Sequence, residues 1–270
     1  MIITSLSDDY CPKRYLSGEH GLSILIETGG TRVLFDTGQG DVFLKNARRL
    51  GKDLSALDAV VLSHGHYDHG GGLSSLYREC PGARLFVGPG WEAARFSVSA
   101  AGAVDIGIAG PLAPRGSLPP RVVRAALEVA EGVFVLPAAG DSAAISFDPR
   151  FRKGEGGREA LDDFSDELSL LVKEKEGAVL VSGCAHRGIV EIARDAALLI
   201  PGARFRAIAG GFHLVDASPE RRLKVARGLA AMDPEAVLCA HCTGPDGYAA
   251  LAAELPGRVS WLYAGRAVEL

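Results

Sequence analysis

The sequence predicts an α/β fold: a four-layer αβ/βα sandwich, with two sheets face to face and helices covering their outer sides. Two observations predict it. Each half of the chain opens on paired short apolar runs and continues with helical and strand-like segments in alternation. Several of the strand runs are also apolar throughout, which requires both faces of a sheet to be covered. With 270 residues, 47% of them apolar, the chain can bury one large core, and a single domain over residues 1–270 is expected.

The elements follow in order. Residues 2–6 and 22–27 read as strands, and 22–27 forms a hairpin with 31–35 across the turn Thr28-Gly29-Gly30. Residues 41–50 have helical spacing, with Val42, Leu44, Ala47 and Leu50 around Lys45, Arg48 and Arg49, and Gly51 is the stop signal. The run 58–62 reads as a strand buried on both faces. Residues 88–120 are rich in Gly, Pro, Ala and Ser with weak periodicity, so an irregular insertion is expected there, with a lid as its possible role. The second half repeats the rhythm. Strands are expected at 168–173, 178–181, 205–209, 236–238 and 259–262, with helices at 189–199 and 219–232. The charged stretch 150–166 reads most simply as a solvated loop that could border the site.

Composition narrows the function classes. A net charge of -4 leaves no electrostatic footprint for nucleic acid. No run approaches the roughly 18 apolar residues of a membrane span, and the opening MIITSLSDDY has no basic leader, so no membrane partner and a cytoplasmic location are expected. Five cysteines, an odd number, fit reduced thiols better than a disulfide framework. A phosphate-binding G-x-x-x-x-G-K-[ST] loop and a G-x-S-x-G nucleophile elbow are both absent. The chemistry must therefore come from elsewhere.

It comes from histidines. The chain has seven, and most follow expected strands, at the sheet edge where α/β folds gather ligands. The densest cluster is VVLSHGHYDHGGG, with His64, His66, Asp68 and His69 between a buried strand and three glycines. Residues i and i+2 of an extended turn point the same way, so His64 and His66 can pinch one ion. As the backbone bends, Asp68 and His69 can face a second. Imidazole and carboxylate suit zinc, and to a lesser degree iron or manganese.

His64-Gly-His66-Tyr-Asp68-His69 after a strand resembles the metallo-β-lactamase superfamily, and upstream VLFDTG is similar to its first motif. The resemblance implies a metal-dependent hydrolase in which Asp36 orients the histidine loop. It also implies later ligands at His186, in VLVSGCAHRG, and His241, in VLCAHCTG. His64, His66 and His186 would then hold one divalent ion, and Asp68, His69 and His241 a second. If only one ion binds, Asp68 is free to act as a general base. Backbone amides near Gly70 to Gly72 would be placed for an anionic group.

The pattern departs from the family at Gly183-Cys184, where members usually carry a Gly-Asp pair whose carboxylate bridges the metals. Cys184 is either a bridging thiolate or a packed thiol beside the site, and the second is expected. GEHGLS at His20, SGCAHRG and GGFHL at His213 together resemble one branch, the proteins similar to dihydropterin ribofuranosylaminobenzene phosphate synthase. His213 is then a metal ligand, an acid for the leaving group or a substrate-binding residue, and His20 shapes the pocket. A flavodiiron oxygen reductase would have Glu where Gly65 or Tyr67 sits. Cys239-Ala-His-Cys242 has the C-x-x-C spacing without the further ligands that a zinc site of its own needs. The expected partner is a small anionic substrate, and a homo-oligomer remains open.

Overall fold

The computed structural model describes residues 1–108, 118–138, 145, 147–154 and 159–270. The first half holds strands β1 (Ile2–Ser7), β2 (Ser23–Thr28) and β3 (Thr31–Phe35), helix α1 (Val42–Arg49), β4 (Ala59–Val61), helices α2 (Tyr67–Gly70) and α3 (Leu73–Glu79), and β5 (Leu85–Val87). A middle section holds β6 (Arg95–Ser99), β7 (Gly102–Asp105), β8 (Arg121–Val122), β9 (Leu127–Ala130), β10 (Val133–Leu136), β11 (Phe151–Lys153) and β12 (Ala160–Leu161). The second half runs β13 (Ser169–Glu174), β14 (Gly177–Ser182), α4 (Ile189–Ala197), β15 (Phe205–Gly210), α5 (Pro219–Ala230), β16 (Ala236–Cys239), α6 (Gly244–Glu254), β17 (Val259–Trp261) and β18 (Ala267–Glu269).

Two seven-stranded sheets form, in the orders β18-β1-β2-β3-β4-β5-β8 and β17-β16-β15-β14-β13-β10-β9. Period-two alternation explains how they stack, because successive side chains leave a strand on opposite faces. Ile24, Ile26, Val33, Phe35 and Val61 of the first sheet join Leu170, Val172, Val179, Val181 and Ala209 of the second in one central core. Leu25, Leu34 and Val60, on the opposite face, pack with Phe43 and Leu44 of α1 and Leu73 and Leu76 of α3. Leu171, Leu180 and Ile208 pack with Ile189 and Ile192 of α4 and Leu229 of α5. The result is the four-layer αβ/βα sandwich.

Where pairing turns parallel, through β3-β4-β5 and β14-β15-β16, the carboxyl ends of the strands share one edge. Asp36, the loop from His64, Cys184 with His186, and His241 each follow one of those strands. α5 starts at Ser218, whose side chain accepts from Arg221 N, with Pro219 in the first turn.

Two expectations need correction. The irregular insertion at 88–120 contains the hairpin β6-β7, and the solvated loop at 150–166 contains β11 and β12; together these strands make a third sheet, ordered β12-β11-β6-β7. Residues 109–117 and 155–158 lie outside the described residues. The charges of the second segment are partly inside the protein, since Asp162 and Asp166 are buried and pair with the buried Arg95 at 2.9 and 2.7 Å. A pattern that hides charges rather than apolar side chains shows no hydrophobic period. α6 was not expected at all, because its opening Gly244-Pro245-Asp246-Gly247 reads as a turn, yet Pro sits in the first helical turn, where its missing N–H costs nothing.

Candidate metal centre

The ligand atoms of His64, His66 and His186 lie within 4.8 Å of one another. All three Nε2 atoms are buried and have no hydrogen-bond partner. Orphaned polar atoms are costly, and three converging on one point are the mark of an ion site. Burial holds His64 and His186 well below the ordinary imidazole range and lowers His66 to about 3. The rings are therefore neutral, which is the form that ligates metal.

A second group, Asp68, His69 and His241, also falls within 4.8 Å. Burial would raise the Asp68 carboxyl, but His69 and His241 beside it hold it well below the carboxylate range. His69 Nδ1 lies 2.6 Å from Asp36 Oδ2, so Asp36 turns Nε2 of that ring toward the site. The same carboxylate accepts from Ser63 N and Ser63 Oγ, both at 2.7 Å, which fixes the strand end before His64. Asp36 and His241 have positive φ angles of 60° and 46°, and Ala185 and His213 share that region at 55° and 47°. Four non-glycine residues in sparsely allowed conformations at one site are an expense that a built constellation justifies.

Carboxylates clasp each ligand loop, all buried except the exposed Asp9, and sequence reasoning missed most of them. Asp166 Oδ2 accepts from Gly65 N at 2.9 Å. Glu167 accepts from His186 N at 2.7 Å and Arg187 N at 2.9 Å, and burial pushes it up to about 7. Asp8 accepts from His241 N at 2.7 Å, and Asp9 Oδ1 holds His241 Nδ1 at 2.6 Å. These contacts span 19 to 233 residues of chain, beyond the reach of any local motif. The one available signal was DELSL, acidic residues directly before an apolar strand.

The remaining expected residues fall as follows. Cys184 is buried, with Sγ 3.1 Å from His69 Nε2. His213 turns a buried, unpartnered Nδ1 inward, and its ring centroid lies 4.4 Å from that of His186. His20 reaches Asp68 Oδ2 at 3.3 Å. Cys239 faces the outer helical core, whereas Cys242 groups with Cys184 and His213 within 4.8 Å, so the C-x-x-C pair is split between two environments. The amides of Gly70, Gly71 and Gly72 are not placed for an anion: they donate to His66 O, Tyr67 O and Gly38 O. These glycines serve close packing instead, since a Cβ on Gly72 would lie 2.3 Å from Thr37 O.

A family model described as the metallo-β-lactamase superfamily matches residues 16–142. The 7,8-dihydropterin-6-methyl-4-(β-D-ribofuranosyl)-aminobenzene-5'-phosphate synthase of Methanocaldococcus jannaschii is 32% identical over 262 residues, 90% of this chain and 87% of its own. This chain belongs to the metallo-β-lactamase superfamily. Among solved structures, Tm1679, a metal-dependent hydrolase of the β-lactamase superfamily, superposes with a TM-score of 0.86 at 33% identity, over 100% of this chain and 99% of its own. Zn2+-bound PqqB from Methylobacterium extorquens shares the superfamily fold at a TM-score of 0.59 and 13% identity, over the whole of both chains. The metallo-β-lactamase fold generally binds divalent metals, and the orphaned imidazoles of this member fit them. No helix among the described residues is long and apolar enough to cross a membrane.

Proposed function

We propose that this superfamily member is a cytoplasmic metal-dependent hydrolase that directs activated water at a small anionic ester, lactone or phosphate-type substrate. His64, His66 and His186 hold one divalent ion and Asp68, His69 and His241 a second, with zinc the first choice and iron or manganese as alternatives. The observation that carries the reading is the set of three neutral, unpartnered Nε2 atoms beside a second cluster built round a carboxylate. Such ions, when bound, lower the pKa of a water from 15.7 to about 7 and stabilise developing negative charge.

The chain's own residues do the rest. Asp36 and Asp9 orient His69 and His241 through their Nδ1 atoms. Were only the first ion bound, Asp68, held ionised by its histidine neighbours, would be free to take a proton from the attacking group. His213, with an unpartnered ring nitrogen facing the cluster, is placed to give one to the leaving group. Phe164 stacks on His186 at 3.8 Å between ring centroids and dries that side of the site.

A second reading has its own support. The Methanocaldococcus jannaschii relative is named a dihydropterin-linked synthase, and the match covers nine-tenths of this chain. In that case the same residues would assist transfer to an aromatic acceptor rather than to water. Metal analysis of protein purified without chelators comes first, and less than one equivalent of any divalent metal would overturn both readings. A panel of phosphodiesters, lactones and a dihydropterin diphosphate then separates them. Turnover of the dihydropterin compound only in the presence of an aminobenzene acceptor would replace hydrolase by synthase.

A further inference from the structure

We propose that His20 is a fourth protein ligand of the second metal position, beside Asp68, His69 and His241, and that Asp9 is the positioning residue for both His20 and His241. The proposal rests on the two-ion reading above and extends it to the His20 loop, which that reading gives no ligand role. His20 sits between β1 and β2, and its placement is built. Gly21 N donates to Asp9 Oδ1 at 3.1 Å, and Leu22 N donates to Asp68 O at 3.2 Å. A Cβ on Gly21 would lie 2.3 Å from Asp68 O, so only glycine lets this loop press against the ligand helix.

The two imidazoles are held in the same way. Asp9 Oδ1 lies 2.6 Å from His241 Nδ1, and Asp9 Oδ2 lies 3.0 Å from His20 Nδ1. A carboxylate only accepts, so in each ring the hydrogen is on Nδ1. Both Nε2 atoms then turn toward one acceptor, Asp68 Oδ2, each at 3.3 Å. In neutral rings these are lone pairs aimed at a carboxylate oxygen, an arrangement that repels unless a cation lies among them. Each of these two distances to Asp68 is that of neighbouring donors round one ion: two atoms about 2.1 Å from a metal at a tetrahedral angle are about 3.4 Å apart. One divalent ion supplies the charge that two extra protons would otherwise have to bring. His20 is also 55% exposed on its side chain, whereas His241 is 1% exposed, so the fourth donor stands on the solvent side of the cluster, where substrate arrives.

The test is a Co2+ titration of metal-stripped wild type, His20→Ala and Asp9→Asn, followed by visible absorption. Wild type is expected to take up two equivalents. In His20→Ala the first equivalent binds as before, which also reports an intact fold, and the second weakens at least about tenfold with a changed d–d spectrum. Asp9→Asn weakens the second equivalent likewise, because an amide cannot accept from both rings. A His20→Ala protein whose second equivalent keeps its affinity and spectrum overturns the proposal while the two-ion reading stands. Wild type that binds a single equivalent overturns the two-ion reading, and the proposal with it.

Discussion

Cys184 Sγ lies 3.1 Å from His69 Nε2, at the position where this chain departs from the Gly-Asp pair of its superfamily. His69 uses its other ring nitrogen on Asp36 at 2.6 Å, so Nε2 carries a lone pair and the thiol donates to it. The second metal position needs that same lone pair. Cys184 and a cation bound there would compete for it, and a packed thiol would yield. Cys184→Ala is expected to keep both ions and to cost about 1 kcal/mol of stability. A folded Cys184→Ala protein retaining less than half its metal would assign a bridging thiolate instead.

Asp68→Ala and His69→Ala should each lose the second ion before the first, because both side chains belong to that group. Activity is expected to fall by orders of magnitude with the fold intact. Unchanged stoichiometry in both variants, measured by elemental analysis, would refute the division of ligands.

Asp36 acts through others, holding Ser63 N, Ser63 Oγ and His69 Nδ1 with one carboxylate. Asp36→Asn swaps one acceptor oxygen for a donor facing donors. Affinity at the second position should drop about 10- to 100-fold, the usual cost of losing an orienting partner. Equal Co2+ affinities in variant and wild type would show that His69 needs no such support.

Arg95 is fully buried between Asp162 and Asp166, and Asp166 in turn holds Gly65 N, between His64 and His66 in the chain. Arg95→Met leaves Asp166 without its ion-pair partner and Asp162 with only Lys153, 3.6 Å away, which should cost about 3 to 5 kcal/mol. Urea unfolding measures it. Loss of less than about 1 kcal/mol would mean that the network is hydrated.

Glu167 provides a pH signature in the metal-free protein. Burial raises it from an ordinary 4.5 to about 7, so the folded state binds its proton more tightly than the unfolded chain. For an acid shifted upward, the stabilisation is complete below pH 4.5 and is lost as pH rises through about 7. The loss is on the order of 3 kcal/mol. Relative to Glu167→Gln, wild type should therefore be more stable at pH 4.5 than at pH 7.5. A difference between the two proteins that stays constant with pH would rule the shift out.

The sequence by itself determined what depends on neighbouring residues. Alternation of Leu25 between Ile24 and Ile26 is enough to place one face inward and one outward, whatever the sheet meets. His64, His66, Asp68 and His69 declare a metal loop because their spacing alone puts their side chains together. The tertiary structure decided the partners of those residues. Asp8, Asp166 and Glu167 look like ordinary turn or loop acids, and nothing within a few residues of them marks them for burial. Their task appears only when β16 brings His241 back to the first loop of the chain, 233 residues from Asp8, and when β6 carries Arg95 to Asp166. The physical reason is that a buried charge is tolerated only when its compensating groups are assembled around it. That assembly is a property of the packed sheets, not of any segment.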